Sequence, residues 1–258
     1  MTSPLVDVEA EGRRLVAFAT DSDLAVRLLG GVGVAVHDHR PVPPALERGY
    51  GDLDIVVPAK SAKRTTEVLN AAGYSGNERF NALHGAQRML FYDTANKRQV
   101  DVFVGHFAMC HRLDLSDRLH LHALALDAAD LMLTKLQIHE VNRKDLIDAV
   151  RLVLTHDVVD IGARAGDGTD AMALDRLRAV TSGDWGWFTT VTDNLGRVRS
   201  AASELLDPVE AAVVESRVEE IDAALRSSPK SMRWKARSVV GRKAPWYELP
   251  EEVGGAQG

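Results

Sequence analysis

Asp52-Leu53-Asp54-Ile55-Val56-Val57 sets two carboxylates at alternate positions of an apolar, β-branched run closed by Pro58. Such a run reads as a strand. Side chains at i and i+2 of a strand share a face, so Asp52 and Asp54 point one way while Leu53, Ile55 and Val57 point the other and can pack. A second run, Arg98 to Val104, puts Val100, Val102 and Val104 on one face and Asp101 with Phe103 on the other. If the two strands are neighbours, three carboxylates converge on one patch. Unpaired, they would repel and raise each other's pKa, and burying them uncompensated is costly. A divalent cation removes the conflict. Asp52 or Asp101 could instead be a strand-end or hairpin residue exposed to water, which is the simpler reading for Asp101 alone. For Asp52-Leu53-Asp54 inside an apolar strand, function is favoured.

Upstream lies Leu28-Leu29-Gly30-Gly31-Val32. Val6 to Leu29 reads as helix with Gly30-Gly31 ending it, and Val32 to Val36 as a short buried strand. The glycine pair could be an ordinary helix cap. It could also be a side-chain-free turn that lets backbone N–H groups approach phosphates. Pro41, Pro43 and Pro44 predict a loop up to Ala45. Lys60 to Ala72 reads as helix with Gly73 as its cap. Gln87–Tyr92 and Arg98–Val104 read as a hairpin around residues 93–97. After Asp127 the pattern turns helical: Leu131 to Ile138, then a segment opened by Asn142. Further helices are expected over Ala171–Val180, Asp184–Leu206 and Pro208–Arg226, with a Gly-bearing loop over residues 163–170 and a frayed tail over 250–258. The expected fold class is α+β (mixed α/β): a small mixed β-sheet core flanked by helices over residues 1–126, then a mostly helical region over 127–258.

A chain of 258 residues with an ordinary apolar fraction can bury a core without disulfides. Its single cysteine, Cys110, builds no framework, so a reducing cytoplasm is the expected compartment. No basic-then-apolar run resembles a signal peptide, and no apolar stretch is long enough to cross a membrane. A net charge of −6 excludes a protein that binds nucleic acid by overall charge. The charge is uneven, however. Residues 229–244 carry Lys230, Arg233, Lys235, Arg237, Arg242 and Lys243 without an acid.

The order apolar-Gly-Gly, Asp-x-Asp, apolar-Asp-apolar resembles the polymerase-beta-like nucleotidyltransferase superfamily. Within it the chain is most similar to the AbiEii-like and MenT-like nucleotidyltransferases of toxin–antitoxin systems. Those also carry Lys-Leu, a spacer, and a basic residue before Asp-x-x-Asp, which here reads Lys135-Leu136 and Lys144-Asp145-Leu146-Ile147-Asp148. The resemblance covers Leu24 to about Leu154. It implies a nucleotidyltransferase core in which Gly30 and Gly31 touch nucleotide phosphates and Asp52 and Asp54 bind magnesium (or manganese). Asp101 would serve as metal ligand or as base for the incoming hydroxyl. Lys135 would neutralise triphosphate charge and Asp145 would orient it. Read without the resemblance, Lys135 is equally a snorkelling surface lysine, and Asp145 a capping residue after Asn142. Two departures stand out. The gap from Gly31 to Asp52 is longer than usual and proline-rich, as a lid or substrate-reading element would be. Tyr50 stands where relatives carry serine or threonine.

The implied reaction transfers a nucleotidyl group from a nucleoside triphosphate to a hydroxyl. The acceptor is RNA, with the tRNA 3′ end as first choice by the resemblance, together with a cognate antitoxin protein as partner. Arg233, Lys235 and Arg237 would then grip RNA, with Trp234 and Trp246 interleaved for stacking; a solvated helix face over packed tryptophans is the plainer alternative. Two other readings are open: the same chemistry on a small molecule such as an aminoglycoside, and an inactive nucleotide-binding or protein-interaction module. The pairs His37-x-His39 and His120-x-His122 invite zinc but lack the usual tighter ligand set. Trp185-Gly186-Trp187-Phe188 reads as core or interface.

Overall fold

The computed structural model describes residues 3–37, 40–160 and 171–249. His39, the expected loop over 163–170 and the expected tail over 250–258 lie outside the described residues.

Helix α1 (Val8–Asp21) starts at Asp7, whose carboxylate accepts from the Ala10 N–H, and stops at Ser22, followed by Asp23 in the left-handed region (φ 53°). The chain then forms strand β1 (Arg27–Leu29), not the end of a longer helix. Arg27, Leu28 and Leu29 pair antiparallel with Val56, Ile55 and Asp54 of strand β2 (Leu53–Val57). Gly30 to Ala35 is a short helix, α2, so the expected strand over Val32–Val36 is not formed. The error has a physical source. Gly30, Val32, Gly33, Val34 and Ala35 are all buried, so apolar side chains are wanted on every side of the segment and the period carries no information. Gly30 does not end a helix; it turns the chain out of β1 and into α2.

Helix α3 (Ala62–Ala71) begins after Ser61, and Gly73 follows its last turn at φ 99°. Strand β3 (Ser75–Gly76) and helix α4 (Glu78–His84), neither expected, lead to β4 (Arg88–Asp93) and β5 (Arg98–Val104). These two form the expected hairpin, paired from Arg88↔Phe103 to Asp93↔Arg98. The sheet order is β1-β2-β5-β4-β3, with β2 and β5 parallel and the other pairs antiparallel. The fold is mixed α+β, as expected.

One face of the sheet presents Leu53, Ile55, Val57, Val100, Val102 and Val104, which pack with Leu15 and Val16 of α1 and Val68 and Leu69 of α3. The other presents Val56 and Phe103, which join a second core containing the helices that follow. Between them, strands β6 (His106–Ala108) and β7 (Arg112–Asp114) form a small antiparallel pair. The helices are α5 (Ala128–Leu136), α6 (Arg143–Thr155), α7 (Leu174–Gly183), α8 (Trp185–Leu205), α9 (Pro208–Ser227) and α10 (Met232–Val240). Except at α7, their starts follow capping chemistry: Asp127, Asn142, Asp184, Asp207 and Ser231 each accept from backbone N–H groups of the first turn. Strands β8 (Val158–Val159) and β9 (Met172–Ala173) make a short parallel pair among these helices. No described helix is long and apolar enough to cross a membrane.

Candidate active site

The parallel register of β2 and β5 sets Asp54 directly opposite Asp101. Both therefore stand on the sheet face that turns toward α5. Asp52 is exposed just before β2. Burial, then the charges of Asp52 and Asp101, push the Asp54 carboxyl up to about 7; Lys135 and Arg88 pull it back in part. The shift shows that all five groups share one electrostatic neighbourhood.

Gly30 closes over this carboxylate. Its φ is 64°, and a Cβ there would lie 2.0 Å from Asp54 Oδ2. A side chain at this position would meet both a strained backbone and a collision. At Gly31 a Cβ would lie 2.1 Å from Arg48 Nη2 and 2.7 Å from the Tyr50 ring. The proline-rich loop thus folds back so that Arg48 and Tyr50 cover the glycine turn, with the Arg48 guanidinium 4.5 Å from the Tyr50 ring centre.

Arg48 is gripped at both ends of its fork by Asp148 (2.8 and 2.6 Å). Asp148 also receives Lys135 Nζ at 2.8 Å, and the same ammonium donates to Asp145 Oδ1 at 2.8 Å. Asp145 is held by the Asn142 amide (2.7 Å), while its backbone N–H donates to Asn142 Oδ1. Arg151 donates to the Tyr50 hydroxyl at 2.8 Å. Burial alone would depress Lys135, but Asp148 and Asp145 outweigh it and hold the ammonium above its ordinary value. Burial would likewise raise Asp148, yet Arg48 and Lys135 keep it below the usual carboxylate range. Lys135 is therefore a fixed, buried positive charge and not a snorkelling surface group. Asn142 is the cap of α6, and Asp145, held by its side-chain amide, anchors the lysine.

Asp101 is engaged by Arg88 through two parallel N–H···O bonds of 2.7 and 2.6 Å, and Arg88 also lies 5.2 Å from the Phe103 ring centre. Among the described residues, no three His, Cys, Asp or Glu side chains are arranged as a ready-made metal site. Asp52 and Asp54 remain, and carboxylate oxygens of this kind suit magnesium or manganese.

Gly30, Gly31, Asp52, Asp54, Asp101, Lys135 and Asp145 thus converge. Arg48 and Arg88, which the sequence did not single out, belong to the same cluster, as does Asp148, the second acid of the Asp-x-x-Asp motif. Asp148 lies three residues after Asp145, the helical spacing that puts both on one face. Arg233, Lys235 and Arg237 lie elsewhere, on α10. Arg237 donates to the carbonyls of Gly241, Ala244 and Pro245 and lies 4.9 Å from the Trp185 ring centre, so it holds the following chain in place. Arg233 and Lys235 are exposed. The histidines are in other work. His37 stacks on His122 at 4.1 Å and bonds to the Leu126 carbonyl oxygen, and burial lowers His111 to about 4.

No family model matches the chain, and no curated protein matches it. Among the solved structures similar to it, three share 11% identity with the chain. One is the antibiotic-resistance factor ANT(2'')-Ia, with a TM-score of 0.37 over 90% of this chain and 95% of that one. The second is an antigenic nucleotidyltransferase-like protein from Paracoccidioides brasiliensis, with a TM-score of 0.41 over 90% and 97%. The third is a protein from H. pylori assigned as a nucleotidyltransferase, with a TM-score of 0.38 over 84% and 95%. At this level of similarity, a functional reading has to stand on the residues of the site itself.

Proposed function

We propose that the chain is a metal-dependent nucleotidyltransferase that takes a nucleoside triphosphate and passes its nucleotidyl group to a hydroxyl, releasing pyrophosphate. The observation that carries this reading is the convergence of Asp54 and Asp101 beside a glycine turn, near the buried Lys135 ammonium and the half-buried Arg48. Asp52 and Asp54 would hold magnesium or manganese, which supplies charge neutralisation at the phosphate oxygens. Such transfers depend on positioning and on fixed charge. Gly30 and Gly31 leave room for the phosphates to approach backbone. Lys135 and Arg48 offset their charge without reorganising, because Asp145 and Asp148 hold both in position. Asp101 accepts the proton of the incoming hydroxyl, which attacks the α-phosphorus as the pyrophosphate oxygen departs. That role requires Arg88 to leave Asp101 when substrate binds, and a triphosphate is an anion that can draw it away.

The acceptor in this reading is RNA, with the tRNA 3′ end first, and the setting is the cytoplasm, where a cognate antitoxin would restrain the enzyme. The test is to incubate the protein with each α-labelled triphosphate, magnesium and total RNA. Label on RNA is expected from the native chain and none from the Asp52→Ala, Asp54→Ala double variant. Undiminished labelling by the double variant would remove the proposed metal site.

A further inference from the structure

On the other side of α5 lies a cleft of about 710 Å³ that the chemistry above does not use. Gln137, just past the helix, accepts through Oε1 from the backbone N–H groups of Met109 and His111, which ties the β6–β7 turn to this end of α5. Lys135 is two residues earlier, about 200° around the helix axis, and faces Asp145 and Asp148. The cleft is bounded by the β6–β7 turn, the start of α8, α10 and the strap formed by residues 245–248.

The strap is held firmly. Glu248 N–H donates to the Cys110 carbonyl at 2.9 Å, the Trp246 indole N–H donates to Thr190 Oγ1 at 3.2 Å, and Arg237 holds the carbonyls of Ala244 and Pro245. Its backbone passes so close to α8 that a Cβ on Gly186 would lie 2.4 Å from the Trp246 oxygen. These contacts hold the rings of Trp185, Trp246 and Tyr247 around the opening. Trp246 stands edge-on to Trp185 at 6.1 Å and to Tyr247 at 5.3 Å. None of the three is buried.

Three arginines, Arg112, Arg233 and Arg237, line the cleft against two acids, Asp184 and the exposed Glu248. Arg112 and Arg233 are exposed there. The Arg233 side chain keeps 85% of its surface free and reaches its nearest acid, Asp184, only at 4.0 Å. Asp184 accepts from the N–H groups of Gly186 and Trp187 through Oδ1, which leaves Oδ2 toward Arg233. At the back, His111 is a neutral hydrogen-bonding ring against Thr190, its pKa lowered by burial. Arg237 lies over one face of Trp185, Arg242 over one face of Trp246, and His139 stacks on Tyr247; the remaining ring faces, a neutral polar floor and an excess of arginine over acid at the rim suit a planar ligand that carries an anion. The volume lies within the range of small-ligand sites.

We infer that this cleft binds a nucleotide unit, its base stacked among Trp185, Trp246 and Tyr247 and its phosphate held by Arg233 and Arg112. The unit is either a free nucleoside monophosphate or an unpaired residue of single-stranded RNA. In the second case the cleft deepens the proposed reaction by gripping its acceptor, although binding itself does not depend on that reaction.

The experiment is a fluorescence titration of the full chain in EDTA, read by quenching of tryptophan emission. The probes are the four nucleoside monophosphates and a single-stranded tetraribonucleotide. Saturable quenching is expected, and Arg233→Glu and Trp185→Leu should each weaken it about tenfold or more, while the Asp52→Ala, Asp54→Ala variant binds as the native chain does. Equal affinity for monophosphate and tetranucleotide assigns the free nucleotide; clear preference for the tetranucleotide assigns RNA. The inference is overturned if no probe binds at millimolar concentration. It is also overturned if Arg233→Glu leaves binding unchanged or if the aspartate double variant abolishes it. Arg233 is exposed, so its substitution does not threaten the fold. Loss of transfer in the aspartate variant with cleft binding intact would separate the two sites.

Discussion

Asp54→Asn removes a carboxylate that the fold holds under strain, and it should stabilise the protein while abolishing its chemistry. The Asp54 carboxyl is raised from 3.8 to about 7, first by burial and then by Asp52 and Asp101. Because the folded value lies above the unfolded one, the folded state binds the extra proton between those two pH values. Stability from this group is therefore complete below about pH 4 and falls as pH rises, with the full cost reached above 7. Each pKa unit corresponds to about 1.4 kcal/mol. The cost of ionising Asp54 thus reaches about 4 kcal/mol, and about 2 kcal/mol if solvent reaching the carboxylate screens half of it. Asparagine fills the same space without titrating. In EDTA at pH 8, Asp54→Asn should melt roughly 4–10 °C above the native chain, with the gap shrinking toward zero near pH 4. Thermal melts of both proteins across this range, followed by circular dichroism, provide the comparison. Added magnesium should narrow the pH 8 gap, because only the native chain gains a ligand. A gap independent of pH, or an asparagine variant that melts lower at pH 8, would refute this reasoning.

Three further substitutions probe the same cluster. Lys135→Met leaves Asp145 and Asp148 facing one another without their shared cation; chemical denaturation should show a loss of about 3 kcal/mol, and transfer should be lost. Arg48→Ala keeps Lys135 on Asp148 but uncovers the glycine turn; steady-state assays should show KM for the triphosphate rising about tenfold, with kcat changed less. Gly30→Ala places a methyl group against Asp54 at a φ of 64°; calorimetry should report a loss of at least about 1–2 kcal/mol, and magnesium should no longer stabilise the variant.

Much of this architecture could be read locally. The caps at Asp127, Asn142, Asp184 and Asp207, each followed by an apolar period, announce α5, α6, α8 and α9. The alternation in Asp52–Val57 and Arg98–Val104 announces β2 and β5. Leu24 to Val36 could not be read this way, because its strand and its short helix are both buried and patterning carries no contrast there. The pairings that complete the site are long-range. Arg48 meets Asp148 across a hundred positions, and nothing near Arg48 in the chain announces a partner. Arg88 reaches Asp101 because the hairpin register sets Arg88 opposite Phe103, the neighbour of Asp101 on the same face two positions along the strand. Whether Asp54 and Asp101 would meet depended on β2 and β5 being parallel neighbours, which no local pattern specifies. The basic segment was legible as a charge run. That Arg237 would be consumed by backbone carbonyls while Arg233 stayed open at an aromatic cleft was not.

The central claim is that this cluster transfers a nucleotidyl group, and the fate of the phosphorus atoms tests it most directly. Two parallel reactions should be run with magnesium and total RNA, one with triphosphate labelled at the α-phosphorus and one with the label at the γ-phosphorus. The account predicts that α-label becomes covalently attached to the acceptor while γ-label appears in pyrophosphate. Attachment of γ-label, or release of free phosphate without any attached α-label, would contradict it.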